Sequence, residues 1–381
     1  MVLTISRTRS RFVHLTLTLD VRCNAIAGLI QSRIVAWFES QRRKHETHIQ
    51  HGNRSDTDII HFGGQRVTVA PAAAQNPSTS SGQTFPSKPL RIIVPAVAGS
   101  NPDFRARQTV PKLAEAFGQS VIVDNRPGAN GTIATQLGAR AQPDGYTLTY
   151  VVVNSVIHDL LNPDWCCRLI HALAPVAQFN LSPLVMVIHP GVAANTLQEY
   201  LQLAKSKPGM LTFASAGPGS ITQLLGEWIK SRSGTSVLDV PYKSVGAEMP
   251  DLLGGQIKTG YLAANAIATH VQSGKLRGLA VAHRTRLTVV RDVPTTAEAG
   301  LPGVEASAWG GYVAPVGTPQ PIIRTLNREL VRAFNTPDVR EQVAASGAEI
   351  VAGTPEDFAV VIRSEMAKWG KIIKDAGIKA Q

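Results

Sequence analysis

Lys88-Pro-Leu-Arg-Ile-Ile-Val-Pro-Ala-Val-Ala-Gly-Ser-Asn-Pro-Asp-Phe-Arg-Ala-Arg107 decides how the chain is to be read. Residues 90–94 form a short apolar run of the kind found in buried strands. Ala98, Gly99 and Ser100 make a small-residue turn, and a helix is expected to open near Asp103. A turn of this kind gathers bare N–H groups and the positive end of a helix dipole at one point, which suits an anion. The arrangement returns in Met210-Leu-Thr-Phe-Ala214, Ser215-Ala-Gly-Pro-Gly-Ser220 and the helical run 221–230. Two anion-receptive turns over a hundred residues apart predict two lobes closing on one carboxylate. The residues expected to hold it are Ala98, Gly99, Ser100 and Asn101 on one side and Ser215, Gly217, Gly219 and Ser220 on the other. The grip is expected from backbone amides, with no Lys or Arg needed to match the charge. Asp103 reads as a helix N-terminal carboxylate and not as a ligand contact, since an acid would repel an anion.

Outward from this stretch, strand-like and helix-like segments alternate, the mark of α/β architecture with mostly parallel sheets. Strands are expected at 90–94, 121–124, 147–153, 184–188, 211–214, 237–240, 257–262 and 279–282. Helices are expected at 103–117, 196–205, 226–233, 247–253, 321–334, 339–345 and 356–376. The first has Phe104, Val110, Leu113 and Phe117 as its apolar positions. Thr196 with Glu199, and Thr354 with Asp357, have capping-box spacing. Lobe crossovers at 180–188 and 306–314 would give one lobe of 88–182 plus 312–381 and a second lobe of 183–311. Two connections of this sort make a hinge, and ligands favour the cleft between lobes.

The bulk numbers agree with two packed domains: 381 residues, 44% of them hydrophobic. The net charge of +11 does not indicate nucleic acid, because nearly half of it sits in residues 1–86 and no nucleic-acid-binding motif accompanies the rest. Residues 15–38 are interrupted by Asp20, Arg22 and Arg33, so no membrane span is expected there. An intact secretory h-region is also missing, although Val67-Thr-Val-Ala-Pro-Ala-Ala-Ala74 looks like the tail of a signal peptide. Residues 1–86 are therefore expected to be an unstructured or non-native extension. Three cysteines cannot make a disulfide framework, and adjacent Cys166 and Cys167 read as two thiols rather than a strained vicinal bridge. Thr222 stands where a dinucleotide fingerprint needs its third glycine, and no nucleophile elbow or P-loop is visible. His158, His171, His189, His270 and His283 lack metal spacing, while His45, His48 and His51 read as solvated. No catalytic residue, metal or cofactor is expected.

The ordered part resembles the receptors of tripartite tricarboxylate transporters, the Bug family of periplasmic solute-binding proteins. The landmarks run in order from Pro86 to the C-terminus. They include Asp103-x-x-Ala-Arg107, Asn125-Arg-Pro-Gly-Ala129, Pro143-Asp-Gly-Tyr-Thr-Leu148, Val240-Pro-Tyr-Lys243, Asp251-Leu-Leu-Gly-Gly-Gln256 and Glu298-Ala-Gly-Leu-Pro-Gly303. The resemblance implies a periplasmic-binding-protein type II fold, two α/β lobes with a ligand cleft between them. It implies a periplasmic location and capture of a small carboxylate (di- or tricarboxylate, or aromatic acid) for membrane permease subunits. A sensor kinase as partner, without transport, is the alternative, and an enzyme on a similar fold is a weaker one. Val153-Asn154-Ser155 corresponds to a small-polar loop of the family, which adds Asn154 and Ser155 to the site. Departures from the pattern bear on specificity. Ala96 replaces the usual aromatic, Pro102 removes a hydroxyl and an N–H, Gln223 replaces a His, and Leu262 stands where an acid grips ammonium or hydroxyl groups. These changes disfavour a zwitterionic amino acid as ligand.

Overall fold

A computed structural model of the protein describes residues 85–378 apart from Cys166 and Ser244. The segment 1–84, with its signal-like tail and its three spaced histidines, lies outside the described residues. Phe85 already packs edge-on against Tyr146 and Phe117, with ring centroids 5.1 and 6.2 Å away, so packing begins before residue 88.

The chain runs β1 (Leu90–Val94), α1 (Asn101–Phe117), β2 (Val121–Asn125), α2 (Thr132–Ala139), β3 (Thr147–Val152), α3 (Val153–Leu161), α4 (Leu169–Ala172) and β4 (Leu173–Ile188). It continues with α5 (Leu197–Ser206), β5 (Thr212–Ser215), α6 (Ile221–Ser233), β6 (Leu238–Pro241), α7 (Val245–Leu253), β7 (Thr259–Ala263), α8 (Ala264–Gln272) and β8 (Arg277–Val281). The last elements are β9 (Ser307–Pro315), α9 (Gln320–Phe334), α10 (Pro337–Ala345), β10 (Glu349–Ile350) and α11 (Pro355–Asp375).

The strands follow the order β2-β1-β3-β9-β4-β7-β5-β6, with β8 and β10 also paired to β4. β1 lies parallel to both β2 and β3, and its apolar Ile92-Ile93-Val94 run reflects burial on both faces. β4 is the organising strand. Its residues from Leu173 to Pro183 pair with β9, and those from Leu184 to Ile188 pair with β7 and β8. One extended strand thus carries the chain from one sheet into the other. Two register shifts in the β9 pairing, beside Pro175 and Gln178, bend it on the way.

Each sheet is covered by amphipathic helices. On α9, Ile323, Leu326, Leu330 and Phe334 recur at helical spacing and are buried, and Phe334 stacks on Phe179 of β4 at 4.4 Å. The Thr354–Asp357 capping box opens α11, and Thr196 caps α5 through the Glu199 amide. Helix α1 departs from its expected face. Phe104 is 51% exposed, whereas Arg105, Ala106, Thr109 and Leu113 form the buried stripe. This stripe faces β1, β2, β3 and α9, and on it the Thr109 and Tyr312 hydroxyls meet at 2.7 Å. No described helix is long and apolar enough to cross a membrane.

Candidate ligand-binding cleft

The turn after β1 is organised by one buried carboxylate. Gly99 has φ +80° with open space where a side chain would stand, so backbone conformation alone calls for glycine. Its amide donates to Asp103 Oδ2 at 2.8 Å. Arg107 Nε reaches both Asp103 oxygens at 2.9 Å, and Asn125 Nδ2 donates to Oδ1 at 2.9 Å. Burial works to raise the Asp103 pKa, but the bonds from Arg107, Gly99 and Asn125 outweigh it and hold the carboxyl below its ordinary value. The Ser100 amide and hydroxyl both turn back to Val97 O, at 3.2 and 2.6 Å.

The turn after β5 is organised without charge. The Ala216 amide donates to Thr222 Oγ1 at 2.9 Å, Gly217 to Ser215 Oγ at 3.2 Å, and Gly219 to Gln223 Oε1 at 2.8 Å. Ser220 Oγ caps α6 by accepting from the Gln223 amide, and its own amide donates to Gly217 O at 3.2 Å. Two bonds join this turn to the other half of the molecule. Asn130 Nδ2 donates to Pro218 O at 2.6 Å, and the Ile221 amide donates to Asn154 Oδ1 at 3.1 Å.

Between the turns lies a cleft of about 250 Å³ that draws on both sheets. Asn101, Asn154 and Ser220 line it. Ala98 and Gly99 sit exposed in the turn leading to it and Ser100 is half-buried, while Ser215, Gly217 and Gly219 are buried beneath the facing turn. The amides of Gly99, Gly217 and Gly219 are engaged by nearby polar side chains that fold back onto the turns, and those of Ser100 and Ser220 by the carbonyls of Val97 and Gly217. The amides of Asn101 and Thr222, in the first turns of α1 and α6, have no partner among the described residues. These two remain open to an anion. Val153-Asn154-Ser155 is the start of α3 and not a loop, since α3 follows β3 without a connecting residue. Ser155 is buried with its hydroxyl unpartnered among the described residues and does not line the cleft.

Arg105 escaped the sequence reading. It is 2% exposed, and it is the one charged residue among those lining the cleft. Nη1 donates to Gln108 Oε1 at 3.2 Å, Nη2 donates to Ser346 Oγ, and Nε has no partner among the described residues. No described acid forms an ion pair with it. Burial lowers its pKa, opposed by the nearby Tyr150 hydroxyl, which itself donates to Asn180 Oδ1 at 2.9 Å. The rest of the wall is largely apolar, with Val152, Leu184, Leu262, Ala263 and Trp309. A wider groove of about 570 Å³ runs beside α8 and residues 288–293, but it draws on the second sheet's half alone and its charged residues are not buried. The cleft is the better-built site.

Comparison with known proteins follows the same line. The sequence profile of the tripartite tricarboxylate transporter family receptor matches residues 105–378. Protein BugT of Bordetella pertussis is 35% identical over 301 residues, covering 78% of this chain and 92% of BugT. Among solved structures, Rpa4515 of R. palustris with adipate has a TM-score of 0.70 at 28% identity, over 78% of this chain and 99% of that one. MatC of Rhodopseudomonas palustris with bound malate has a TM-score of 0.69 at 29% identity, over 76% of this chain and all of MatC (100%).

Proposed function

The chain belongs to the tripartite tricarboxylate transporter receptor family, and on that premise we propose that it is a periplasmic receptor capturing a small organic carboxylate for membrane permease subunits. The observation that carries the reading is the cleft into which α1 and α6 both open, with the Asn101 and Thr222 amides unengaged by any described residue. Two helix N-termini supply partial positive charge and directed donors for one carboxylate. The malate and adipate held by two structural relatives support an acid of this size.

The ligand-binding residues are then Asn101, Asn154, Ser220 and Thr222. Gly99, Ser100, Ser215, Gly217 and Gly219 hold the two turns in shape, and Ala98 lies on the rim. The lobes are 88–182 with 312–381 and 183–311, joined through β4 and β9. Closure over the ligand is held by the Asn130–Pro218 and Asn154–Ile221 bonds, and ligand shifts the open–closed equilibrium toward this state. The chemistry is reversible binding, with no bond made or broken.

Thermal unfolding of the protein with mono-, di- and tricarboxylates and aromatic acids tests the reading. A ligand at a hundred times its Kd stabilises the folded state by about 2.7 kcal/mol. No shift with any carboxylate, or turnover of one to a product, overturns it.

A further inference from the structure

We propose that Arg105 sets the specificity of this cleft, and that its ligand is a dianion: a short dicarboxylate whose second carboxylate pairs with the Arg105 guanidinium. The inference rests on the reading of the cleft as a carboxylate site and names the class of acid that it takes.

Arg105 is a buried cation without a counter-ion among the described residues. Its two hydrogen bonds, to Gln108 and Ser346, are to neutral groups, the guanidinium lies 5.9 Å from the Phe104 ring, and Nε has no acceptor among the described residues. A guanidinium cannot shed its proton to escape this cost, as a buried Lys or His can. An uncompensated buried charge is expensive, so an occupant that supplies a carboxylate gains from both pairing and relief of that cost. Arginine also presents a fork of donors suited to a carboxylate.

The position fits a second anchor rather than the first. Asn101 stands at the open first turn of α1, and Arg105 is four residues further on, about 6 Å along the helix axis. A diacid with a few methylenes can therefore place one carboxylate at the Asn101 and Thr222 amides and the other at Arg105. Val152, Leu262 and Trp309 offer apolar wall for the spacer. None of the lining residues is an acid, so an ammonium group would meet no opposite charge there.

Calorimetric titration of the full-length protein with succinate, glutarate and adipate, and with butyrate, valerate and hexanoate as their monoacid partners, tests the proposal. Wild type is expected to prefer the best diacid over its monoacid by about 10- to 100-fold, the range for a charged hydrogen-bonded contact. In Arg105→Met that ratio is expected to fall below about threefold, with Arg105→Lys in between and monoacid affinity little changed. Equal binding of diacids and monoacids by wild type, or an unchanged ratio in a folded Arg105→Met, overturns the proposal while leaving a carboxylate receptor. If no acid of either series binds, the proposal fails, and the receptor reading fails with it only when tricarboxylates and aromatic acids give no thermal shift either. The wild-type ratio stands even if a variant does not fold.

Discussion

Arg105 and Glu248 are two buried ionisable side chains that share one defect and resolve it oppositely. Glu248, on α7 in the second half of the molecule, is 1% exposed, and neither of its oxygens has a partner among the described residues. Burial pushes its pKa up to about 8, so at neutral pH it keeps its proton and carries no charge. Arg105 has no such escape and stays charged. A buried group that can neutralise itself is a cost the fold absorbs alone, whereas one that cannot is a standing demand for a counter-ion. Glu248 is not among the residues lining the cleft that both sheets share and Arg105 is, which fits that division.

The largest effect expected on this contrast is a pH dependence set by Glu248. Its folded-state pKa near 8 lies above the ordinary 4.5, so the folded state binds the extra proton and stability falls as pH rises through that window. The loss between pH 5 and pH 8 is about 3 kcal/mol. Glu248→Gln should remove this slope, as read by urea unfolding at both pH values. Parallel pH profiles for variant and wild type would mean that Glu248 finds a partner and the contrast fails.

Asp103 supplies the satisfied counterpart, a buried charge with its bonds made. Asp103→Asn is expected to cost about 2 kcal/mol at pH 7, since Arg107 and the Gly99 amide lose a charged acceptor. The folded pKa lies below 3.8, so the stability that Asp103 contributes is present above that value and is lost as pH falls through the folded one. The gap between variant and wild type should therefore narrow in acid. A gap that holds constant down to pH 2.5 would show that Asp103 acts by shape and not by charge.

Arg105→Met reverses the sign. Removing an unpaired buried cation should raise the stability of the ligand-free protein by about 1–2 kcal/mol. Gln108 and Ser346 keep bonds to Gln342 and Val343 without it. A loss of stability instead, in denaturant titrations without ligand, would make Arg105 a structural residue and break the comparison with Glu248.

How far these groups could be read from sequence follows from how local their causes are. The strand at β1 is legible because both of its faces are buried, and the caps at Thr196 and Thr354 are legible because partner and cap lie three residues apart. Strand β9 was not, since Gly310 and Gly311 look like a loop. They are glycines because the Tyr150 hydroxyl and the Phe358 ring would lie within 1.9 and 2.5 Å of a Cβ there. That reason is tertiary. The two anion turns were visible as glycine-rich connections, but not that their side chains would engage most of the turn amides. Arg105 was hidden for a related reason: Phe104 beside it looks like the core residue. Packing of α1 on β1, β2, β3 and α9, which no local spacing reveals, turns the arginine in and the phenylalanine out.

The smallest effect belongs to the uncharged limit of the same defect. Ser155 is 2% exposed, and its hydroxyl has no partner among the described residues. A neutral hydroxyl loses far less on burial than a charge does, so Ser155→Ala should stabilise the protein by about 0.5–1 kcal/mol. Because Ser155 lies behind Asn154 and outside the cleft lining, affinity for any carboxylate should change less than twofold. The two readouts separate the cases. A gain in stability with constant affinity makes Ser155 a packing residue whose polarity is unused, the neutral analogue of Glu248. A fall in affinity would place its hydroxyl on the ligand and give the unpartnered oxygen the same explanation as the unpartnered Arg105 Nε.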